Sequence, residues 1–229
     1  TGFRINSAMD DAAGLPIATR LKAQTSGMSM AMRNTQNSIS MMQTAEGALD
    51  EATNILVRMK DLATQSADGS STGADRTAMQ AEYTSLTSEL SNIIKNTSFG
   101  GTSLLNNTTG ALGKFAATVD FQIGASSAEK MTVNVATDVT AMHTNIVAAA
   151  GAFNGGTAIA GATAGQEISD GAPGTGAANA NATIDLLKTA IDSVSSVRSA
   201  LGASANRLDH VYNNLSNISN NTKAATGRI

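Results

Sequence analysis

Apolar side chains recur every seven residues along two stretches near opposite ends of the chain. Leu21, Met28, Met42, Leu49 and Leu56 form the first row, which Thr35 interrupts, and Met32, Ile39, Ala45, Ala52 and Met59 fill the alternate positions. The second row is Leu187, Val194, Leu201, Leu208 and Leu215, ending at Thr222. Ile184 and Ile191 flank it early, and Val211 and Ile218 continue it later. A strict seven-residue repeat holds one narrow seam on the same side of a helix, which predicts coiled-coil-like packing rather than a lone surface helix. The first helix is expected to start between Ser7 and Leu15. There Ser7-Ala-Met-Asp10 fits a capping box, Asp10 and Asp11 suit a positive helix end, and Pro16 is tolerated only in a first turn. Asp68-Gly69-Ser70-Ser71-Thr72-Gly73 stops it with a turn signal. At ~1.5 Å per residue, about fifty residues make a helix of roughly 75 Å.

Between the two long patterns the period changes twice. A shorter helix is predicted from about Ala74 to Asn96, with Met79, Tyr83, Leu86, Leu90, Ile93 and Ile94 on one stripe, and Phe99-Gly100-Gly101 breaks it. Val119, Phe121 and Ile123, then Met131, Val133 and Val135, alternate with polar residues around Gly124-Ala125-Ser126-Ser127 and predict a β-hairpin. From about Val139 to Ala182 the chain is rich in Gly, Ala and Thr with little periodicity, and is expected to be a small, loosely specified insertion. Neither long helix can bury its seam alone, and each seam Leu or Met removed from water contributes roughly 1.5–3 kcal/mol. The two ends should therefore pack on one another. The expected fold is mainly α: a long antiparallel coiled-coil-like helical rod of two long helices and one shorter helix, with a β-hairpin region and a small outer insertion.

Composition narrows the function. The 229 residues are 41% apolar but only 3% aromatic, with no Trp. That suits helices meeting along narrow seams better than a deep globular core. Charged residues make up 14%, against roughly 25% in an ordinary soluble domain. A net charge of −3 offers no basic stripe for nucleic acid, and no run approaches the ~18 apolar residues of a membrane span. With no Cys, disulfides, thiolate metal sites and thiol nucleophiles are excluded.

Catalytic signatures are equally sparse. His143 and His210 are the only histidines, and no HExxH motif accompanies them. Gly110-Ala-Leu-Gly113-Lys114 lacks phosphate-loop spacing, and Gly202-Ala-Ser204-Ala-Asn206 has Asn where a nucleophile elbow needs its last Gly. No cofactor or metal site is expected. Met28, Met30, Met32, Met41 and Met42 crowd together, and gap-filling in a narrow seam accounts for them.

Four stretches carry a family resemblance: GFRINSAMDDAAGLPIATRL near the start, RNTQNSISMMQTAEGALDEATNILVRMKDLATQSADG from Arg33 to Gly69, QAEYTSLTSELSNIIKNTSFGGTSLL from Gln80 to Leu105, and RSALGASANRLDHVYNNLSNISNNTKAATGRI from Arg198 to Ile229. Together they cover well over half the chain, and the sequence resembles bacterial flagellin. The Met-rich wording and short middle look most like lateral flagellins.

The resemblance implies a secreted, extracellular structural subunit that self-assembles into the helical propeller of the flagellum and performs no chemistry. Residues 1–138 and 183–229 would form the rod domain of the filament shell, and 139–182 would stand where the family's variable outer domain projects. Family members carry further amphipathic segments at both termini, so this chain is expected to be a trimmed core, monomeric by itself. Contacts with the export chaperone and the filament cap would run through those segments. Arg4, Asn6, Asp10 and Asp11 would lie at the base of the rod, among contacts to neighbouring subunits, while Ser7 and Asp10 cap the helix.

A further family property is recognition by the flagellin-sensing Toll-like receptor of animals. The recognised segment matches VRMKDLATQ, with Arg58, Leu62 and Gln65 at i, i+4 and i+7, and Glu82 standing where the family motif has a carboxylate. Val57 and Leu86 depart from the family's usual Gln and Arg. A solvated helix face, with Leu62 partly on the seam, is the plain alternative for these residues. Two other functions compete: an extracellular coiled-coil adhesin or filament-junction protein, and an enzyme displayed on a filament. Heptads alone would not require the RINSAMDDAAG and LGASANRLDH wording, and no catalytic constellation supports the enzyme.

Overall fold

A computed structural model describes residues 9, 14–108, 111–153 and 164–228. Their elements run α1 (Gly14–Ala67), α2 (Gly73–Asn96), the short strands β1 (Ser98–Phe99), β2 (Thr102–Ser103), β3 (Asn107–Thr108) and β4 (Ala111–Leu112), a 3-10 turn (Lys114–Ala116), strands β5 (Val119–Gln122) and β6 (Lys130–Val133), α3 (Ala136–Ala149) and α4 (Gly176–Thr226). The mainly α class and the two long helices are as the periodicity predicts. The chain divides into two compact units. Unit 1 comprises Thr1–Met41, Asp120–Val133 and Ala203–Ile229; unit 2 comprises Met42–Val119 and Asn134–Gly202.

The seven-residue repeat is realised on α1 without a break. Met28, Thr35, Met42, Leu49, Leu56 and Ala63 are buried in one row, and Ala31, Ser38, Ala45, Ala52, Met59 and Ser66 in the other. Thr35 therefore does not interrupt the seam. Its hydroxyl donates to the Ala31 carbonyl at 2.8 Å, and Ser38 donates to Asn34 at 2.7 Å. A hydroxyl satisfied by its own helix can be buried at little cost. The expected alternates Met32 and Ile39 lie one position off, half-buried beside Ala31 and Ser38, and Leu21 is also half-buried.

On α4 the row Ala180, Leu187, Val194, Leu201, Leu208 and Leu215 is buried throughout. Its companion row is Thr183, Ala190 and Val197, not the half-buried Ile184 and Ile191. Further along, Val211 is half-buried and Ile218 is 40% exposed, while the polar Ser219 is buried. In unit 1, Met28 and Ala31 form a core cluster with Leu215, with Met32 and Val211 packed against it. In unit 2, Arg198 Nη2 lies 2.9 Å from the Asp50 carboxylate, next to buried Leu49 and close to buried Leu201.

Unit 1 also holds most of the expected hairpin, with Phe121, Met131 and Val133 buried. The Ile123 N–H donates to the Glu129 carbonyl at 3.0 Å, and Thr132 donates to Asp120 at 2.6 Å, which sets the antiparallel register. Its turn reaches α1 at Gly27, where a Cβ would come within 2.6 Å of the Ala125 Cβ. That closeness requires glycine.

In unit 2, α2 opens with a capping box. Asp75 N–H donates to the Thr72 hydroxyl at 3.2 Å, and Thr72 N–H donates back to the Asp75 carboxylate at 2.9 Å. The β1–β2 turn has Gly100 and Gly101 at φ 56° and 80°, the left-handed pair that a two-residue hairpin turn demands. The largest difference from expectation is α3, within a segment that shows little periodicity. Val139, Met142, His143, Ile146 and Val147 are buried along one face of it, a spacing masked by the Ala and Thr around them. Residues 154–163 of the same segment lie outside the described residues.

Burial ranks these positions energetically. Leu201→Ala is expected to lower unfolding stability by about 2–5 kcal/mol. Ile218→Ala, on the same helix but at the surface, is expected to change it by less than about 1 kcal/mol. Urea unfolding of both variants checks the ranking, and equal effects would contradict it.

Candidate interaction surfaces

Two of the four predicted recognition residues, Arg58 of α1 and Glu82 of α2, meet at the surface. Glu82 Oε1 accepts from Arg58 Nε at 2.9 Å and from Arg58 Nη2 at 2.6 Å. Both side chains stay about half exposed, at 54% and 45%. Gln65 is exposed on the same helix, and Val57 beside Arg58 is 45% exposed. Leu62 differs from its three companions, at 2% exposure. The reason is angular. Leu62 and Ile55 share a third row of the repeat, between the Met59 row and Arg58, and both are buried. Arg58, one step further round, reaches the surface. The structure thus joins Arg58 to Glu82 at the surface, leaves Gln65 exposed and buries Leu62. Arg4, Asn6, Asp10 and Asp11, and the Ser7–Asp10 cap, lie outside the described residues.

Sequence reading missed a polar hub in unit 2. Glu167, only 3% exposed, accepts from Gln80 Nε2 at 2.6 Å, from Gly165 N–H at 2.9 Å and from Gly151 N–H at 3.1 Å. Gln80 also accepts from Ile168 N–H at 2.8 Å, and Thr183 donates to the Glu167 carbonyl at 2.7 Å. Ser66 donates to the Ile168 carbonyl, and Arg76 donates to the Ser66 carbonyl at 2.9 Å. The hub ties α1, α2 and α4 to the segment between α3 and α4. Burial together with the Glu167 charge pushes the Tyr83 hydroxyl well above its ordinary pKa, so it stays protonated and donates to the Ala149 carbonyl at 2.8 Å. A run of Gly, Ala and Thr around a single Glu carries no periodic signal of this kind.

A cleft of about 350 Å³ adjoins the hub, lined by Gln166, Glu167, Thr175, Asn179 and Thr183 among others. Two of its polar side chains are spent on the fold: Asn179 donates to the Ser169 carbonyl at 3.0 Å and Thr175 to the Ala172 carbonyl at 2.8 Å. Phe153 is 5% exposed and lies against His143. Among the described residues there is no cluster of potential metal ligands, and no helix is long and apolar enough to cross a membrane.

Comparison with known proteins places this architecture. The model for the bacterial flagellin N-terminal helical region matches residues 1–109, and that for the C-terminal helical region matches 184–229. A flagellin of Halalkalibacterium halodurans is 38% identical over 230 residues, covering 100% of this chain and 74% of that protein. Flagellin B of Vibrio cholerae is 32% identical over 309 residues, with coverage of 100% and 80%. The crystal structure of Bacillus cereus flagellin superposes with a TM-score of 0.60 at 30% identity, covering 80% of this chain and 88% of that one. The chain belongs to the bacterial flagellin family, whose members are the self-polymerising subunits of the flagellar filament.

The two polar features of unit 2 should differ sharply in energetic weight. Gln80→Leu strips a buried carboxylate and a buried N–H of their partner and is expected to cost about 2–5 kcal/mol. The exposed Arg58–Glu82 pair is expected to show a coupling of no more than about 1 kcal/mol, shrinking with added salt. Chemical denaturation with a double-mutant cycle measures both.

Proposed function

We propose that this subunit serves bacterial motility as the repeating unit of a secreted propeller, and that the α1–α2 surface around Arg58 is the part of unit 2 that an animal flagellin-sensing Toll-like receptor engages. Assembly follows from heterologous contacts: patches on one copy match different patches on the next, and the symmetry does not close. Arg4, Asn6, Asp10 and Asp11 are proposed as subunit contacts. The lateral-flagellin character, contacts with export chaperone and filament cap, and residues 139–182 as an outer insertion belong to the same reading.

The observation that carries the receptor proposal is the exposed Arg58–Glu82 pair. An Arg held by a carboxylate on a neighbouring helix is preorganised, and Arg is a common interface hot spot. Leu62 supports this surface from below; it makes no outward contact. In a receptor-reporter assay, Arg58→Ala is expected to raise the half-maximal concentration by about tenfold or more, equivalent to about 1.4 kcal/mol. A curve superimposed on wild type would remove Arg58 from the contact.

A further inference from the structure

His143 is 2% exposed on the inner face of α3, and neither the filament role nor the receptor surface uses it. Its Nε2–H donates to the Leu105 carbonyl at 2.7 Å, which fixes the tautomer and leaves Nδ1 as a bare acceptor. Nδ1 is buried and has no hydrogen-bond partner among the described residues. The Phe153 ring lies 5.7 Å away, tilted by 39°. The imidazole therefore joins three pieces of unit 2: α3, the segment before β3, and the loop after α3.

We propose that His143 is an acid-sensitive latch, in which a proton taken from solvent by Nδ1 unseats α3 from the Leu104–Phe115 region and loosens unit 2. A neutral imidazole fits this site. An imidazolium would have a buried N–H facing no acceptor, and its charge would be out of reach of water.

Charged and titratable groups on the surrounding elements offer the cation no rescue. Asp138 is on α3 itself; Lys114 projects from the 3-10 turn into solvent; Asp192 and Lys188 of α4 are exposed near the Asn145–Ser193 contact. Tyr83 of α2 is committed to Ala149, and Glu167 to Gln80 and two backbone N–H groups. None of these hydrogen-bonds to Nδ1. Burial accordingly holds the His143 pKa below its ordinary 6.5, with only the Leu105 carbonyl pulling the other way. The sign follows. The unfolded chain binds the proton more readily, so the stabilisation is complete above about pH 6.5 and falls away as pH drops towards the lower folded-state midpoint.

The chain has only two histidines, so its imidazole NMR signals can be assigned with His143→Gln, which retains a donor and does not titrate. In wild type, the His143 signal is expected to titrate below pH 6.5. Amide exchange in α3 should meanwhile accelerate as pH falls, after correction for intrinsic exchange, by up to about tenfold per unit of that displacement. In His143→Gln the corrected rates should stay flat over the same range. A His143 midpoint at or above 6.5, or the same acid response in the variant, would overturn the proposal. Should the variant fail to fold, the wild-type titration and α3 exchange decide alone, and α3 rates that stay level down to pH 4.5 would also overturn it.

Discussion

In each of its two units, this protein depends on packing α1 against α4, two helices that are far apart in sequence. With 3% aromatic residues there is little else from which to build a core. The buried groups of α1 are Leu, Met, Ile, Ala and small hydroxyl residues, each contributing modestly, and they count only when other elements cover them. A helix of this kind has little reason to persist by itself in water, because its stability comes from the partner face rather than from intrinsic propensity. Hence the polar residues admitted to the seam, Thr35, Ser38 and Ser66, are all ones whose hydroxyl finds a carbonyl at once.

Much of this is legible in the sequence, and the failures have physical causes. The leucines at 187, 201, 208 and 215 mark α4 plainly, because a large apolar side chain at every seventh position keeps to one side of a helix and must be covered there. The first half of α1 is harder to phase. With Ala31 and Ser38 in the seam and Met32 and Ile39 beside it, size points one way and position the other. The same conflict hides the α4 companion row, as Thr183 and Ala190 are small while Ile184 and Ile191 are large. Hydrophobicity ranks residues by size; a narrow seam selects for fit.

The candidate surface is partly legible. Spacing alone puts Arg58, Leu62 and Gln65 on one helical face, and resemblance adds Glu82. What spacing cannot supply is how that face divides: Ile55 and Leu62 are buried, while Arg58 reaches out to Glu82 of α2 at the surface. The Glu167 hub and the seat of α3 are invisible for a further reason. The hub centres on one Glu and one Gln that bond to each other and to backbone N–H groups, drawn from positions up to 88 residues apart. No local pattern encodes such a set.

The most direct measurement of the seam is a double-mutant cycle on Met28→Ala and Leu215→Ala, the two large residues that share the unit 1 core cluster. If α1 and α4 cover one another there, the two losses should be coupled, with an interaction energy of about 0.5–3 kcal/mol in equilibrium unfolding. Losses that add to within about 0.3 kcal/mol would mean that the two side chains are buried independently, and the lengthwise pairing on which the fold rests would be wrong.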